Sequence, residues 1–368
     1  MTDAYTAGHE TITSLPALIL PTLTLRCPEC HHPGLDGAAG ELVCAGCGAR
    51  FPVDARTGVA ALLARRSGTE QKADIRAWWG DLYEQLYGPT DRSLTPESLE
   101  ALLSETEDLF RRRRLLPVVE MPLAELRGKQ VLEIGPGGGA HSCLFKRHGA
   151  QVTAVDITPE RAMSTAFKLS LIKGGEGRAF NADAENLPFA DASFDIVYSN
   201  GVLHHSADTD RTLAEVHRVL KPGGRAVLML YSRHSAVYWG TIVPRGLVSG
   251  EMFRWPEPEW IGRVTEGKPK FGQTRNPFTR VYSEAELRRT LAAFTMVSLR
   301  KNSFQFDNFA IPRLTQLRVA VLKALGYRPH PGALLVYGGA DFVPETALEL
   351  WLGRHMGFAW NIVVEKPQ

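Results

Sequence analysis

The sequence predicts an α/β protein: an open, largely parallel sheet with helices on both faces, preceded by a small cysteine-bearing module. Three observations lead there. The apolar run Val131-Leu132-Glu133-Ile134 passes directly into Gly135-Pro136-Gly137-Gly138-Gly139, a strand entering a glycine turn that a helix can follow. A second apolar run, Gln151-Val152-Thr153-Ala154-Val155, ends in Asp156, 21 residues beyond Gly135. Strand and helix patterns then alternate as far as Tyr231.

A glycine turn brings backbone N–H groups closer to a ligand than side chains permit, and an acid one strand away can accept hydrogen bonds from both hydroxyls of a ribose. Those two features alone fit a dinucleotide as well as any other ligand carrying a nucleoside. The following stretches narrow the choice. Asn181-Ala182-Asp183-Ala184-Glu185 sets an acid where a third strand ends, and Phe194 to Asn200 reads as a fourth strand with Gly201-Val202-Leu203-His204-His205 as its outgoing loop. Asp195 opens that strand and reads as structural. Leu213 to Leu220 has helical spacing and stops at Lys221-Pro222-Gly223-Gly224, ahead of a fifth strand, Arg225 to Tyr231.

In this order and spacing the five motifs resemble class I S-adenosylmethionine-dependent methyltransferases, in particular the branch that includes quinone-biosynthesis and other small-molecule methyltransferases. The resemblance spans roughly residues 128 to 231. It implies a seven-stranded Rossmann-like sheet, S-adenosyl-L-methionine as cofactor and a small-molecule acceptor. Residue by residue, it implies that Glu133 with Gly135, Gly137 and Gly139 holds the methionine end. Asp156, with Ile157, takes the ribose, Asp183 and Ala184 face the adenine, and Asn200 joins them as a cofactor residue. Pro136 departs from the usual small or sulfur-containing residue and stiffens the turn. On residue grounds alone, Glu133 also fits a helix-terminus partner and Asp183 a surface cap.

Four of the five cysteines sit early, as Cys27-Pro28-Glu29-Cys30 and Cys44-Ala45-Gly46-Cys47, separated by thirteen residues. Two such knuckles bring four thiolates to a tetrahedron, which suits a structural Zn2+ with no open position. Two disulfides in a secreted module are the other reading. The segment from Leu25 to Leu63 is similar to the small zinc-ribbon proteins that bind and activate several methyltransferases, here fused to the enzyme. That similarity keeps open an RNA or protein methyltransferase whose ribbon docks its substrate. The plainer alternative is a ribbon that packs on the core or forms a homodimer contact.

Between ribbon and core, Ile75 to Tyr87 carries aromatics three to five positions apart, so several share a helix face. Tyr83 and Tyr87 are candidates for the cofactor pocket, where aromatic rings attract a sulfonium; core packing explains the same stripe. Leu99 to Val119 reads as a helix whose Arg111 to Arg114 run fits a solvated face paired with Glu105, Glu107 and Asp108. Residues 232 to 280, rich in Trp, Pro and Gly, read as an irregular lid. Ser283-Glu284-Ala285-Glu286 starts a helix with a capping pattern, Thr295 to Leu299 reads as the sixth strand, residues 311 to 355 as mostly helical and Gly357 to Lys366 as the last strand. The expected division is a tail (1–24), a zinc ribbon (25–66), a helical cap (67–127), the cofactor-binding core (128–231), the lid (232–280), a core continuation (281–304), a helical insertion (305–356) and the last strand (357–368).

At 368 residues and 44% hydrophobic content the chain can bury a full core. Lys plus Arg total 42 against 40 acids, a near balance that does not favour a nucleic-acid surface. No apolar run reaches membrane-spanning length and residues 15–25 lack a basic leader, so the expectation is a cytoplasmic protein with no membrane partner.

Methyl transfer from a sulfonium is a one-step displacement that chiefly needs an in-line nucleophile, and orientation alone supplies roughly 7–11 kcal/mol. A base matters only where the acceptor starts protonated. His204 and His205 are the candidates, at the mouth after the fourth strand, with loop shaping as the alternative. Ser199-Asn200-Gly201-Val202 stands where base-amino and amide methylating enzymes carry an Asn/Asp-Pro-Pro-aromatic motif, which points away from those acceptors. Cys143 reads as a buried structural thiol.

Overall fold

The computed structural model describes residues 23–38, 40–265, 276–338 and 342–368. Most of the expected tail and residues 266–275 of the expected lid lie outside them. Within the described residues, β1 (Leu35–Ala38), β2 (Glu41–Cys44) and β3 (Arg50–Pro52) form an antiparallel sheet beside the four early cysteines. The second sheet contains β4 (Ala61–Leu62), β5 (Gln130–Ile134), β6 (Gln151–Asp156), β7 (Gly177–Ala182), β8 (Phe194–Asn200), β9 (Leu220–Tyr231), β10 (Thr295–Asn302) and β11 (Ala359–Glu365). They lie in the order β10-β11-β9-β8-β5-β6-β7-β4, and β11 alone runs against its neighbours. The chain steps outward from β5 in one direction and from β8 in the other. That reversal opens a crevice at the carboxyl ends of the central strands, where α/β sheets bind ligands.

The expected seven strands are all present. The eighth, β4, is supplied by the chain leaving the cysteine module: Ala61 pairs with Asn181 and Leu62 with Ala182. The module is not a free satellite. Its Leu25, Leu42 and Phe51 belong to one buried cluster with Leu132 and Phe180 of the large sheet and Phe189 of the connection from β7 to β8. Arg26 N donates to Pro188 O at 3.0 Å and Asn186 Nδ2 to Pro28 O at 2.8 Å, so polar seams flank the apolar contact.

Four local expectations change. Lys221-Pro222-Gly223-Gly224 does not separate helix from strand but forms the start of β9, with Gly223 at φ 72°. The described part of the lid is more regular than its composition suggests. Helices Val243–Ser249 and Glu257–Thr265 form because Pro244 enters the first, Gly250 ends it, and Ile242, Trp260 and Ile261 share a small core. The helix expected over Leu99 to Val119 runs Pro96–Arg113 and is ended by Arg114 in the left-handed region at φ 53°. Arg111 and Arg112 do pair with Glu107 and Asp108, but Arg113 is buried against Glu345 and Tyr337, contacts that arrive from the second insertion.

Candidate functional site

The glycine turn after β5 is built for close approach. Gly135, Gly137 and Gly139 hold φ of 71°, 59° and 77°, a region that excludes most side chains. A Cβ on Gly135 would lie 2.4 Å from Cγ2 of Val202 in the loop after β8. The turn is fixed from behind: Lys168 Nζ donates to Gly138 O at 2.7 Å and pairs with Asp91 at 2.5 Å. Tyr83 belongs to that support rather than to the pocket. It is buried, its hydroxyl donates to Asp91 at 2.6 Å, and it lies outside the cleft lining, which corrects its placement at the cofactor.

A cleft enclosing about 260 Å³ opens over this turn, lined at the carboxyl ends of β5, β6, β7 and β8 by Gly135, Gly137, Asp156, Ile157, Asp183, Ala184 and Asn200. Gly139 lies just outside the lining, against Thr165. Glu133 sits below it, 1% exposed, receiving a hydrogen bond from Ser142 while its Oε1 has no hydrogen-bond partner among the described residues. Asp156 accepts from Thr158 N at 2.9 Å, and burial raises its carboxyl above the ordinary range while Arg161 opposes that rise. Asp183 accepts from Ser67 Oγ at 2.6 Å, from Lys72 Nζ at 2.5 Å and from Glu185 N at 3.0 Å, and the same lysine reaches Glu185 at 2.6 Å.

Two segments distant in sequence close the cleft. The helix Glu70–Leu86 and its end contribute Lys72, Ile75, Trp79 and Tyr87, and the second insertion contributes Leu335 and Val336. Tyr87 ties them together, its hydroxyl donating to Val336 O at 2.8 Å. Arg161 donates to Trp79 O at 3.1 Å and its guanidinium lies 5.2 Å from the Trp79 ring centroid, a cation–π arrangement.

His205 lines the same cleft with its ring 5.1 Å from that of Trp79. Its Nδ1 is 2.9 Å from Phe278 O and 3.1 Å from both Asn276 Nδ2 and Thr279 Oγ1; the tautomer with the proton on Nδ1 satisfies the carbonyl and leaves the lone pair on Nε2. Burial lowers its pKa to about 4, the Phe278 contact opposing. His204 differs: it is fully buried, its ring meets that of Tyr231 at a tilt with 3.8 Å between centroids, and it lies outside the lining, which corrects its candidacy as a base. Cys143 packs among Leu99, Leu103 and Leu169, and burial pushes its thiol up to about 12.

The four early cysteines converge, with all four sulfurs within 4.8 Å of one another. Cys27 and Cys47 are 3.8 Å apart, Cys30 and Cys44 3.6 Å. A tetrahedral ion with metal–sulfur bonds of about 2.3 Å requires sulfurs ~3.8 Å apart, so the set suits such an ion, and none of the four forms a disulfide.

Lys72, Trp79, Arg161, Leu335 and Val336 were not legible as site residues. Trp79 had a signal in the Ile75–Tyr87 aromatic stripe, and Arg161 a local one, five residues beyond Asp156 in the first turns of a Pro-started helix facing the glycine turn.

A family model described as "Methyltransferase domain" matches residues 132–228. A demethylmenaquinone methyltransferase of Thermus thermophilus is 34% identical over 164 residues, covering 41% of this chain and 72% of the relative. A ubiquinone biosynthesis O-methyltransferase of Aromatoleum aromaticum is 31% identical over 176 residues, covering 44% and 74%. Among solved structures, a SAM-dependent methyltransferase of Methanosarcina mazei is similar at 20% identity, covering 69% of this chain and 98% of the other, with a TM-score of 0.44. The chain therefore belongs to the S-adenosylmethionine-dependent methyltransferases.

Proposed function

We propose that this methyltransferase acts on a small-molecule acceptor held between the glycine turn and His205. The observation that carries the reading is a single cleft whose lining runs from Asp183 and Asp156 past Gly135 to His205. Its residues fit S-adenosyl-L-methionine: a buried Glu133 oxygen that accepts no hydrogen bond among the described residues, with His141 Nδ1 3.5 Å away, suits the ammonium-bearing end, and Asp156 suits the ribose hydroxyls. Ile157, Asp183, Ala184 and Asn200 would enclose the nucleoside, with Lys72 holding Asp183 in place. When bound, the cofactor supplies an electrophilic methyl on a sulfonium.

The chain's own residues orient and exclude water. Trp79, Tyr87, Leu335 and Val336 cover the cleft, and holding two reactants in line supplies roughly 7–11 kcal/mol. His205, fixed by Phe278 and neutral at pH 7, takes a proton from an acceptor hydroxyl through Nε2. The relatives are named for demethylmenaquinone and for ubiquinone biosynthesis, and a hydroxylated aromatic ring of that kind suits walls made by Trp79, Leu335 and Val336. Cys27, Cys30, Cys44 and Cys47 hold a structural Zn2+, closing a ribbon whose apolar face packs on its own catalytic sheet. That packing supports a structural part for the ribbon rather than docking of RNA or protein.

The test supplies methyl-labelled cofactor with hydroquinones, mixed tRNA and denatured protein in parallel. Label extracted with the hydroquinone fraction is expected; label confined to the RNA or protein precipitate would overturn the reading.

A further inference from the structure

We propose that the two insertions together form a basic, apolar face that docks on an anionic lipid bilayer, a partner that goes beyond the methyl-transfer reading and does not rest on it. Large apolar side chains concentrate on these insertions in exposed positions, Val248 at 91%, Phe253 at 77% and Leu325 at 69% among them. Burial would have stabilised each of them, so their exposure calls for a partner when they adjoin one another.

They do adjoin. Ala310 N donates to Gly240 O at 3.0 Å and Thr241 Oγ1 to Asn308 O at 3.1 Å. The Phe309 ring sits so close to Gly240 that a Cβ there would lie 2.4 Å from it. Trp239, Phe309 and Ile311, all exposed, therefore lie along this junction. Ile311 leads into the helix Leu314–Ala324, where Leu317, Val321 and then Leu325 recur at every fourth position as an exposed row. Arg318 and Leu322 of the same helix turn inward, Arg318 pairing with Glu349 at 2.7 Å. The helix thus has a buried side and a second, apolar side that the described residues leave open.

Charge selects the occupant. From Phe309 to Arg328 the sequence contains no acid, while Arg313 and Arg328 are exposed and Lys323 is half-buried. Arg245 and Arg254 add two exposed cations in the first insertion, and the one acid between Ser232 and Pro256, Glu251, is buried. Aromatic and aliphatic side chains interleaved with Arg and Lys suit the boundary between acyl chains and anionic headgroups. A second copy of this chain on the same face would bring these arginines together, and the exposed acid that follows them in sequence, Glu257, is already paired with Arg233 at 2.6 Å. Lying on a bilayer needs no spanning segment, and among the described residues no helix is long and apolar enough to cross one. The expectation of no membrane partner rested on spanning length and on a secretory leader, neither of which an interfacial face requires. The same insertions also carry Phe278, which holds His205, and Leu335 and Val336 of the cleft wall, so the docking face and the acceptor side share their supports.

The experiment floats the full-length protein with vesicles of phosphatidylcholine alone and of phosphatidylcholine with phosphatidylglycerol in equal parts. The protein is expected to rise with the anionic vesicles only and to be released by salt. The variants Leu317→Ser/Val321→Ser/Leu325→Ser and Arg313→Glu/Arg328→Glu should each lower the bound fraction about tenfold or more, with an unchanged circular dichroism spectrum and unchanged binding of S-adenosylhomocysteine. Failure of the folded protein to float with anionic vesicles, or flotation that neither variant weakens, would overturn the proposal. So would a solution dimer that the aliphatic variant converts to monomer without any vesicle binding, which assigns the face to a second copy.

Discussion

Lys72 Nζ lies 2.5 Å from Asp183 Oδ2, so a helix that follows the cysteine module neutralises an acid at the rim of the cleft. The same ammonium lies 2.6 Å from Glu185. All three side chains are at most about a tenth exposed, so the acids depend on this one cation rather than on water.

Lys72→Met should therefore destabilise strongly. Removing one partner of a buried pair costs about 3–5 kcal/mol, and here two acids are left facing each other. The expected outcome is a lower thermal midpoint and weaker S-adenosylhomocysteine binding, both largely restored in Lys72→Arg. Unchanged melting and binding in Lys72→Met would show that solvent reaches these carboxylates.

Metal removal should reach the same site. The chain leaving the ribbon pairs as β4 with β7 at Asn181 and Ala182 and then presents Ser67 to Asp183. Stripping the four thiolates with a strong chelator is expected to lower the melting midpoint and the cofactor affinity together, both recovering with added Zn2+. Full cofactor affinity in metal-free protein would separate the ribbon from the cleft.

Gly135→Ala adds a Cβ 2.4 Å from Val202 at a backbone φ of 71°. The left-handed conformation costs roughly 1–2 kcal/mol for an L residue, and the contact must shift either the turn or the loop after β8. Cofactor binding is expected to fall more than stability does, since both elements line the cleft. Adding Val202→Ala should recover part of the loss; no recovery would place the strain elsewhere.

The pH dependence follows from His205. A base works in its neutral form, and this ring has a pKa lowered from 6.5 to about 4, so the acid limb of kcat/KM should fall near pH 4. Because the unfolded chain takes up a proton near 6.5, the neutral folded ring contributes stability that is complete above that pH and lost as pH falls toward 4. His205→Gln should lower kcat about a hundredfold or more while cofactor affinity stays unchanged. An acid limb near 6.5 in the wild type, or full turnover in the variant, would remove the base role.

The local motifs made the sheet and the inner wall of the cleft readable. Gly135, Asp156, Asp183 and Asn200 each stand at a strand end, so their place follows from strand periodicity and one turn. The outer half was less readable: Trp79 lies in the Ile75–Tyr87 aromatic stripe, but Lys72, Leu335 and Val336 arrive from segments far along the chain that no local pattern ties to the cleft. Tyr83 and Tyr87 show the limit of helical spacing: four residues apart, they share a face, yet one supports Asp91 and the other lines the cleft. Arg113 shows it for charge, since its run looks solvated until Glu345 and Tyr337 arrive to bury it.

The most direct test is calorimetric titration of S-adenosylhomocysteine into the intact protein and into Asp156→Ala. One molecule bound per chain, and a loss of at least about tenfold in affinity in the variant at an unchanged melting midpoint, is the predicted result. No binding to the folded wild-type chain, or equal binding by both proteins, would contradict the placement of the cofactor across the glycine turn and Asp156.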